Sequence, residues 1–360
     1  METDYLIVGQ GLAGSLLGWH LWAREQEVVF VDRGEEGTSS KVAAGIVTPI
    51  TGQRLAKSWR IDEFGPYAWA FYEKFGHAVG QRYFYQKPVV RFFTGEEEME
   101  IWERKRGTAE FEGFVASEIA PGSEPVRGIE APYGGFVMAR SGYLDVAGFV
   151  KATARYFERE RKGSVIEAEF EEEELELSEG VEGATWREVR VRKAVVFCRG
   201  FEEGLKSRFF DWVPFKSAKG EILTVRIRGL RENRILNRGN WMLPATEGGG
   251  SIYRTGSTYD WEELDGEQTK KARRRIEKRL KPLIGKGYRY EVLGQEAAVR
   301  PIVNESKALM GRHPEHEQVV FFNGLGSKGV LNGPFFANML AGYLVEGERL
   351  EEGVDVRKNI

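Results

Sequence analysis

Tyr5-Leu6-Ile7-Val8 runs directly into Gly9-Gln10-Gly11-Leu12-Ala13-Gly14, and this stretch decides the fold. The first four residues are a short apolar run closed by glycine, the pattern of a buried strand. Leu12 to Arg24 is apolar and suited to a helix, with Leu16, Leu17, Trp19 and Leu21 available for packing. Val28 to Val31 is a second buried strand, closed by Asp32. Strand, helix and strand span roughly 30 residues, the unit from which parallel sheets are built. Within it G-x-G-x-x-G follows a strand and opens a helix, and an acid closes the next strand, so the spacing predicts a dinucleotide site. Gly9 permits the tight turn. Gly11 lets a pyrophosphate approach the positive helix N-terminus, and Gly14 lets helix and strand pack closely. Asp32 is placed to accept hydrogen bonds from a ribose hydroxyl. It repels a 2′-phosphate, which favours NAD or FAD over NADP, although Arg33 beside it offsets part of that repulsion. The fingerprint does not separate NAD from FAD.

The rest of the chain fits this frame. With 360 residues, 41% hydrophobic and 30% charged, it is long enough for two interleaved domains and too apolar for disorder. A formal net charge of −3 gives no overall attraction to nucleic acid or an anionic membrane. The single cysteine, Cys198, excludes an intramolecular disulfide and fits a reducing, cytoplasmic setting. His20, His77, His313 and His316 have no cysteine or histidine cluster around them, so no metal is expected; His313 and His316 read as part of a polar turn. No run reaches the roughly 18 apolar residues of a membrane span. The first strand starts by about Tyr5, so no secretory leader is expected. Neither a nucleophile elbow nor a Walker loop occurs, which leaves hydrolase and ATPase readings without support.

Beyond Gly52 the character changes. Residues 53–140 are rich in aromatic and charged side chains and read as a region that covers a site. Phe64 to Phe75 has helical spacing, and Pro88 to Thr94 reads as a strand. Gly148 to Arg161 reads as a helix. Glu169 to Glu176 is nearly all carboxylate and reads as the solvated edge of a β-meander. Ala194 to Cys198 is a further apolar strand, and Phe215 to Ile227 and Trp241 to Ser257 read as strands of a second sheet. Lys270 to Lys281 is strongly basic, with Ile276, Leu280 and Ile284 at helical spacing. Without interleaved aromatics it reads as a surface helix with one buried face rather than a nucleic-acid patch.

Ser39-Ser40-Lys41-Val42-Ala43-Ala44-Gly45-Ile46-Val47-Thr48-Pro49 resembles the second flavin-contacting loop of the D-amino-acid oxidase family, which includes glycine and sarcosine oxidases. Gly324-Leu325-Gly326-Ser327-Lys328-Gly329, followed by Pro334, resembles the family's C-terminal flavin motif. It is most similar to the version in the flavin domain of the bifunctional tRNA methylaminomethyluridine enzyme. Arg300-Pro301 before Gly311, and Gly142-Tyr143-Leu144-Asp145, resemble further landmarks in the expected order. The resemblance runs from Asp4 to about Leu344, with residues 52–140 unmatched.

The resemblance implies an α/β fold with an α+β substrate part: a Rossmann-like FAD-binding domain with an interleaved β-sheet substrate domain. The FAD-binding domain is expected from 1–50, 141–215 and 295–360, and the substrate domain from 51–140 and 216–294. Expected FAD contacts are Gly9, Gly11, Leu12, Ala13, Gly14, Asp32, Arg33, Ser39, Ser40, Ala43, Ala44, Gly45, Ile46, Gly200, Gly324, Gly326, Ser327, Lys328 and Gly329. Small residues at 43–45 let a backbone lie against a planar ring. Backbone N–H groups ahead of the C-terminal helix suit a reduced flavin, whose negative charge collects near N1 and O2. Lys328 adds to that field or is an ordinary surface lysine. Cys198 does not stand where sarcosine oxidases attach flavin, so FAD is expected to be non-covalent.

The implied chemistry is oxidation of a C–N bond in an amine or amino acid, by hydride transfer to flavin N5. The protein's task is then orientation. Arg300 is the candidate grip for a substrate carboxylate by the same resemblance, with a plain ion pair in the substrate domain as the alternative. Trp241-Met242-Leu243-Pro244 stands where glycine oxidases resemble Tyr-x-x-Pro, so Trp241 replaces a phenol in the pocket. Arg300, Lys328 and Trp241 are thus the candidate catalytic residues. The electron acceptor stays open, molecular oxygen among the candidates. Two other readings remain: flavin-dependent modification of a tRNA wobble uridine, and a flavin-binding protein without turnover.

Overall fold

The computed structural model describes residues 1–180, 183–205, 207–246, 250–303 and 307–358. Its helices are α1 (Leu12–Trp22), α2 (Ser39–Val42), α3 (Ile61–Val79), α4 (Glu96–Lys105), α5 (Val146–Glu160), α6 (Lys270–Ile284) and α7 (Gly329–Glu346).

Two eight-stranded sheets carry the architecture. In the first, Glu2–Val8 is central. It pairs in parallel with Val28–Asp32 on one side and Val189–Phe197 on the other. Val165–Glu167 extends the sheet beyond Val28–Asp32. Val189–Phe197 divides its edge: its first residues pair antiparallel with Ala184–Trp186, its last in parallel with Val319–Asn323. These strands are apolar nearly throughout because helices cover the sheet. α1 is apolar all round and is buried, as such a helix must be. It meets α7 through glycines: a Cβ on Gly333 would stand 2.7 Å from Leu16 Cδ1, and one on Gly329 3.1 Å from Leu12 Cδ2. α3 covers α7 in turn, with Tyr72 Oη donating to the Val330 carbonyl at 2.9 Å and Phe64 packed on Phe335 and Phe336.

The second sheet runs in the order Arg289–Arg300, Ala218–Arg228, Ile252–Gly256, Trp241–Pro244, Ile235–Asn237, Val89–Phe92, Gly135–Met138, Val115–Ile119. Its long strands, Ala218–Arg228 and Arg289–Arg300, pair antiparallel along their whole length. α6 packs Ile276, Leu280, Leu283 and Ile284 against the apolar face of that pair, as its spacing predicts.

Several expectations change. Trp241 to Ser257 is a hairpin of two strands; residues 247–249 between them lie outside the described residues, as do 181–182, 206 and 304–306 within the expected FAD segments. The expected break at 295 falls inside Arg289–Arg300, an unbroken strand of the second sheet, because its pairing with Ala218–Arg228 continues on both sides of that position. Residues 53–140 extend the second sheet by three strands and supply α3 to cover α7, and of them Val89 lines the cavity described below. The stretch Glu169–Glu176 is not simply a solvated edge. Glu172 is buried, pairs with Arg199 and accepts the Arg208 N–H at 2.7 Å, so one carboxylate of the run faces inward as a structural anion. His313 and His316 stack on one another at 5.0 Å, and His313 Nδ1 accepts the N–H groups of Glu315 and His316 at 3.1 Å. Among the described residues no His, Cys, Asp and Glu cluster holds a metal-binding arrangement, and no helix is long and apolar enough to cross a membrane.

Candidate active site

A cavity of about 1120 Å³ runs from the carboxyl ends of the parallel strands to the second sheet. This exceeds the roughly 300–1000 Å³ of ordinary small-molecule pockets, so it holds more than a single small substrate. Val8, Asp32, Cys198 and Asn323, at or just beyond four strand ends, line one part, and Ile222, Trp241, Ala298 and Arg300 of the second sheet line the other. Ligands bind open α/β sheets at such carboxyl ends.

Of the residues singled out from the sequence, Gly9, Gly11, Leu12, Ala13, Asp32, Arg33, Ser39, Ser40, Ala43, Ala44, Gly45 and Ile46 line this cavity. So do Gly200, Gly326, Ser327, Lys328, Gly329, Arg300 and Trp241. Gly14 and Gly324 do not; they stand behind the wall. A Cβ on Gly14 would collide with the Gly9 carbonyl oxygen, so its role is helix–strand packing. Gly324 has φ +80°, and a Cβ there would lie 2.6 Å from Val303 Cγ2. Gly11 differs from both. Its φ is ordinary, and a Cβ would meet only the Ser40 side chain, at 3.0 Å from Oγ. The lack of a side chain at Gly11 keeps space open in the cavity and relieves no clash with the backbone.

α1 and α7 both begin at the cavity, and neither has a side-chain cap. α5 and α6, by contrast, are capped by Asp145 and Thr269. An uncapped helix start leaves N–H donors and the positive end of the dipole for an anionic or electron-rich group. At α1 one donor is already engaged, since Leu12 N–H donates to Ser40 Oγ at 2.9 Å. Asp32 is held by the N–H groups of Gln10 and Gly34, both at 2.8 Å. Arg33 is matched by Glu35 and Glu202, with Glu169 3.9 Å away. Those carboxylates surround Arg33, and Glu36 pairs with Lys41 nearby, which leaves the Asp32 end of the cavity acidic and unsuited to a 2′-phosphate.

Arg300 ends its strand with its guanidinium folded over Gly220, where a Cβ would collide with it. Nη2 donates to Ser257 Oγ at 2.9 Å and Nη1 to the Thr258 carbonyl at 3.3 Å; the guanidinium lies 4.4 Å from the Tyr259 ring centroid. Burial lowers its pKa, with the Tyr259 phenol opposing. Among the described residues it has no carboxylate partner. The next residue ties it to the C-terminal loop: Gly326 N–H donates to the Pro301 carbonyl at 3.1 Å. Asn323 braces the same loop, donating to the Gly200 carbonyl and accepting from Gly324 N–H, both at 2.8 Å.

Lys328 is no surface lysine. It caps the start of α7 inside the cavity, and Nζ donates to Ser58 Oγ at 3.4 Å. Burial lowers its pKa to about 8. Lysine in an unfolded chain titrates near 10.4. Between about pH 8 and 10.4 the unfolded state therefore holds a proton that the folded state has released, and stability rises with pH across that window. Below about pH 8 both states are protonated and the full burial cost applies. In the FAD-free form, Lys328→Met is expected to be more stable than wild type near neutral pH, the gap closing by about pH 10. Urea denaturation over that range checks this, and a pH-independent gap would place the lysine in solvent.

Arg254, which sequence reasoning missed, reaches from the second sheet to the loop after α2. Nη2 donates to the Val42 carbonyl at 2.7 Å and Nη1 to the Ala43 carbonyl at 3.2 Å, with Glu296 3.5 Å away. Burial lowers its pKa, and Glu296 opposes that. It fixes the start of the small-residue segment 43–45, where Gly45 has φ +66°. Arg254→Gln is expected to weaken FAD binding by about tenfold, the scale of one charge-assisted hydrogen bond. Fluorescence titration of the apoprotein with FAD measures it; unchanged affinity would show that the loop holds itself.

The comparisons with known proteins agree with this geometry. A family model described as FAD dependent oxidoreductase, DAO, matches residues 4–343. The uncharacterized oxidoreductase YurR of Bacillus subtilis is 40% identical over 56 residues, 16% of this chain and 15% of that protein. Among solved structures, glycine oxidase from Bacillus cereus ATCC 14579 is 20% identical with a TM-score of 0.77, covering 97% of this chain and 98% of that one. Iminodiacetate oxidase from Chelativorans sp. BNC1 is 17% identical with a TM-score of 0.76, covering 96% of each. L-proline dehydrogenase from P. horikoshii is 15% identical, also at 0.76, covering 97% and 94%. At these identities the likeness is one of fold.

Proposed function

From the premise that this chain belongs to the DAO family of FAD-dependent oxidoreductases, we propose that it oxidises the C–N bond of a small amine bearing a carboxylate. The observation that carries this reading is Arg300, a half-buried residue whose guanidinium stands in the cavity wall, its pKa lowered by desolvation, without a carboxylate partner among the described residues. Leaving such a charge unpaired is costly unless a ligand completes it. A planar fork in that position matches a substrate carboxylate in two-point fashion.

The chain's residues fit FAD held non-covalently. Gly11 keeps the approach to the α1 N-terminus open, Asp32 faces the ribose end and residues 43–46 offer a flat small-residue wall. The uncapped start of α7 offers N–H donors beside Lys328. When bound, FAD supplies the two-electron acceptor. The chain supplies orientation: Arg300 fixes the carboxylate, and Trp241, in contact with Val42, Ile222 and Ala298, closes an apolar wall beside it. A neutral substrate amine carries its own electron pair, so no side-chain base is required. The single cysteine, Cys198, is buried with its thiol pKa pushed up, which disfavours the thiolate that a flavin linkage needs.

The same geometry supports an FAD-binding part of 1–50, 141–215 and 301–360, with the second sheet, through Arg300, as the substrate part. An anaerobic screen of amino acids and their decarboxylated amines, followed by flavin bleaching, tests the function. Bleaching by amino acids alone is the expected result. A yellow protein that no amine bleaches would leave only a flavin-binding role.

A further inference from the structure

The helix that covers the second sheet carries a strongly basic outer surface. α6 turns Ala272, Ile276, Leu280, Leu283 and Ile284 inward and exposes Lys271, Arg274, Arg275, Lys278 and Lys281. At the end of α6 the adjoining strands add Arg228 and Arg289, which stand directly opposite each other in the antiparallel ladder, both exposed. Like charges so placed destabilise a sheet. The ion pairs formed by described residues on this face are Arg273–Glu277 at 3.8 Å and Arg226–Glu291 at 3.0 Å, and none of the seven cations named above takes part in one. A chain with formal net charge −3 thus concentrates unneutralised cations on one surface.

We propose that this face of α6, with Arg228 and Arg289, docks the phosphodiester backbone of a nucleic acid. Along α6 the cations recur every three or four residues, a ladder with rungs about 4.5–6 Å apart. A row of closely spaced cations of this kind neutralises successive phosphates of a flexible strand. Two other anionic partners fit less well. Helices that lie on bilayers insert tryptophan, phenylalanine or leucine, and none of the exposed large hydrophobic residues lies on α6. The acidic run Glu169–Glu176 of a second copy would give a head-to-tail contact, not the two-fold contact of the commonest oligomers. None of the seven cations lines the cavity: α6 begins beside it, with Thr269 hydrogen-bonded to Glu221 and Gln295, and runs toward Arg289, which is the opposite end of the strand from Arg300, roughly 36 Å away. The inference is therefore independent of the amine-oxidation reading.

The test is fluorescence anisotropy of the FAD-loaded protein with a labelled single-stranded RNA of roughly 20 nucleotides, from about 50 to 200 mM KCl. Binding that weakens steeply with salt is expected. The combined variant Lys271→Glu/Arg274→Glu/Lys278→Glu/Lys281→Glu should lose at least about 30-fold in affinity, with its flavin absorbance unchanged. Arg228→Gln/Arg289→Gln should reduce the salt slope by about 1.4, and it decides the matter alone if the fourfold variant fails to load FAD. Absence of binding at low salt, or equal binding by the variants, overturns the proposal. So does adsorption to phosphatidylglycerol vesicles, or salt-reversible self-association in sedimentation, without RNA binding. Flavin bleaching by amino acids in the same variants tests the oxidation reading separately.

Discussion

Replacing Arg300 with lysine is expected to slow flavin reduction by an amino acid roughly 30- to 1000-fold, the equivalent of about 2–4 kcal/mol. Lysine keeps the charge and loses the planar two-point grip. The guanidinium is held by Ser257 Oγ, the Thr258 carbonyl and the Tyr259 ring, a seat shaped for a flat cation over Gly220. An ammonium there points elsewhere. The decarboxylated amine, which has nothing for Arg300 to hold, should react at nearly the same rate in wild type and variant. Stopped-flow reduction of both substrates in both proteins makes the comparison. Equal losses would show that Arg300 braces the end of its strand.

Gly11→Val is expected to abolish stable FAD binding while leaving the protein folded. Only the Ser40 side chain stands within 4 Å of a Cβ at Gly11, so the added methyls project into open cavity, in the path of the pyrophosphate. Gly14→Val should behave in the opposite way. Its Cβ meets the Gly9 carbonyl oxygen and, at 3.0 Å, Ile7 Cγ2, so strand and helix must separate and the protein should lose its fold. Thermal melting and flavin absorbance on the two purified variants distinguish these effects. A folded, fully yellow Gly11→Val would mean that the pyrophosphate lies elsewhere.

The two glycines show how far sequence reading reaches. The spacing Gly9, Gly11, Gly14, Asp32 stated a local geometry, because all of it lies within one strand–helix–strand unit whose contacts are short in sequence. The apolar stripe of α6 was equally legible, since Ile276, Leu280 and Ile284 encode their own face. Arg254 was not legible: its acceptors, the Val42 and Ala43 carbonyls, are more than 200 residues away, and nothing in its own neighbourhood marks it. Glu172 was hidden for the converse reason, one inward carboxylate among many outward ones, chosen by Arg199 and by the Arg208 N–H. The motif marked Lys328, but only the surrounding packing shows that it is half-buried, with its pKa lowered by desolvation. Residues 53–140 looked like a cover because aromatic density does not say which sheet a strand will join. The opposition of Arg228 and Arg289 likewise exists only once the register of two distant strands is fixed.

The strand order of the parallel sheet also governs how the chain can be made. Glu2–Val8 leaves the ribosome well before its partners, and one of its edges waits for Val189–Phe197, whose own parallel partner is Val319–Asn323. The uncapped donors of α7 come later still. During synthesis the glycine turn therefore exists without the far wall of its cavity until α7 follows, and FAD cannot be retained before α7 has emerged. Sheets closed by such distant pairings form slowly. Strand edges of the nascent protein thus stay exposed for most of translation, and FAD capture coincides with completion of the fold. A premature stop anywhere before Gly329 should yield colourless, aggregation-prone chains rather than a smaller flavoprotein.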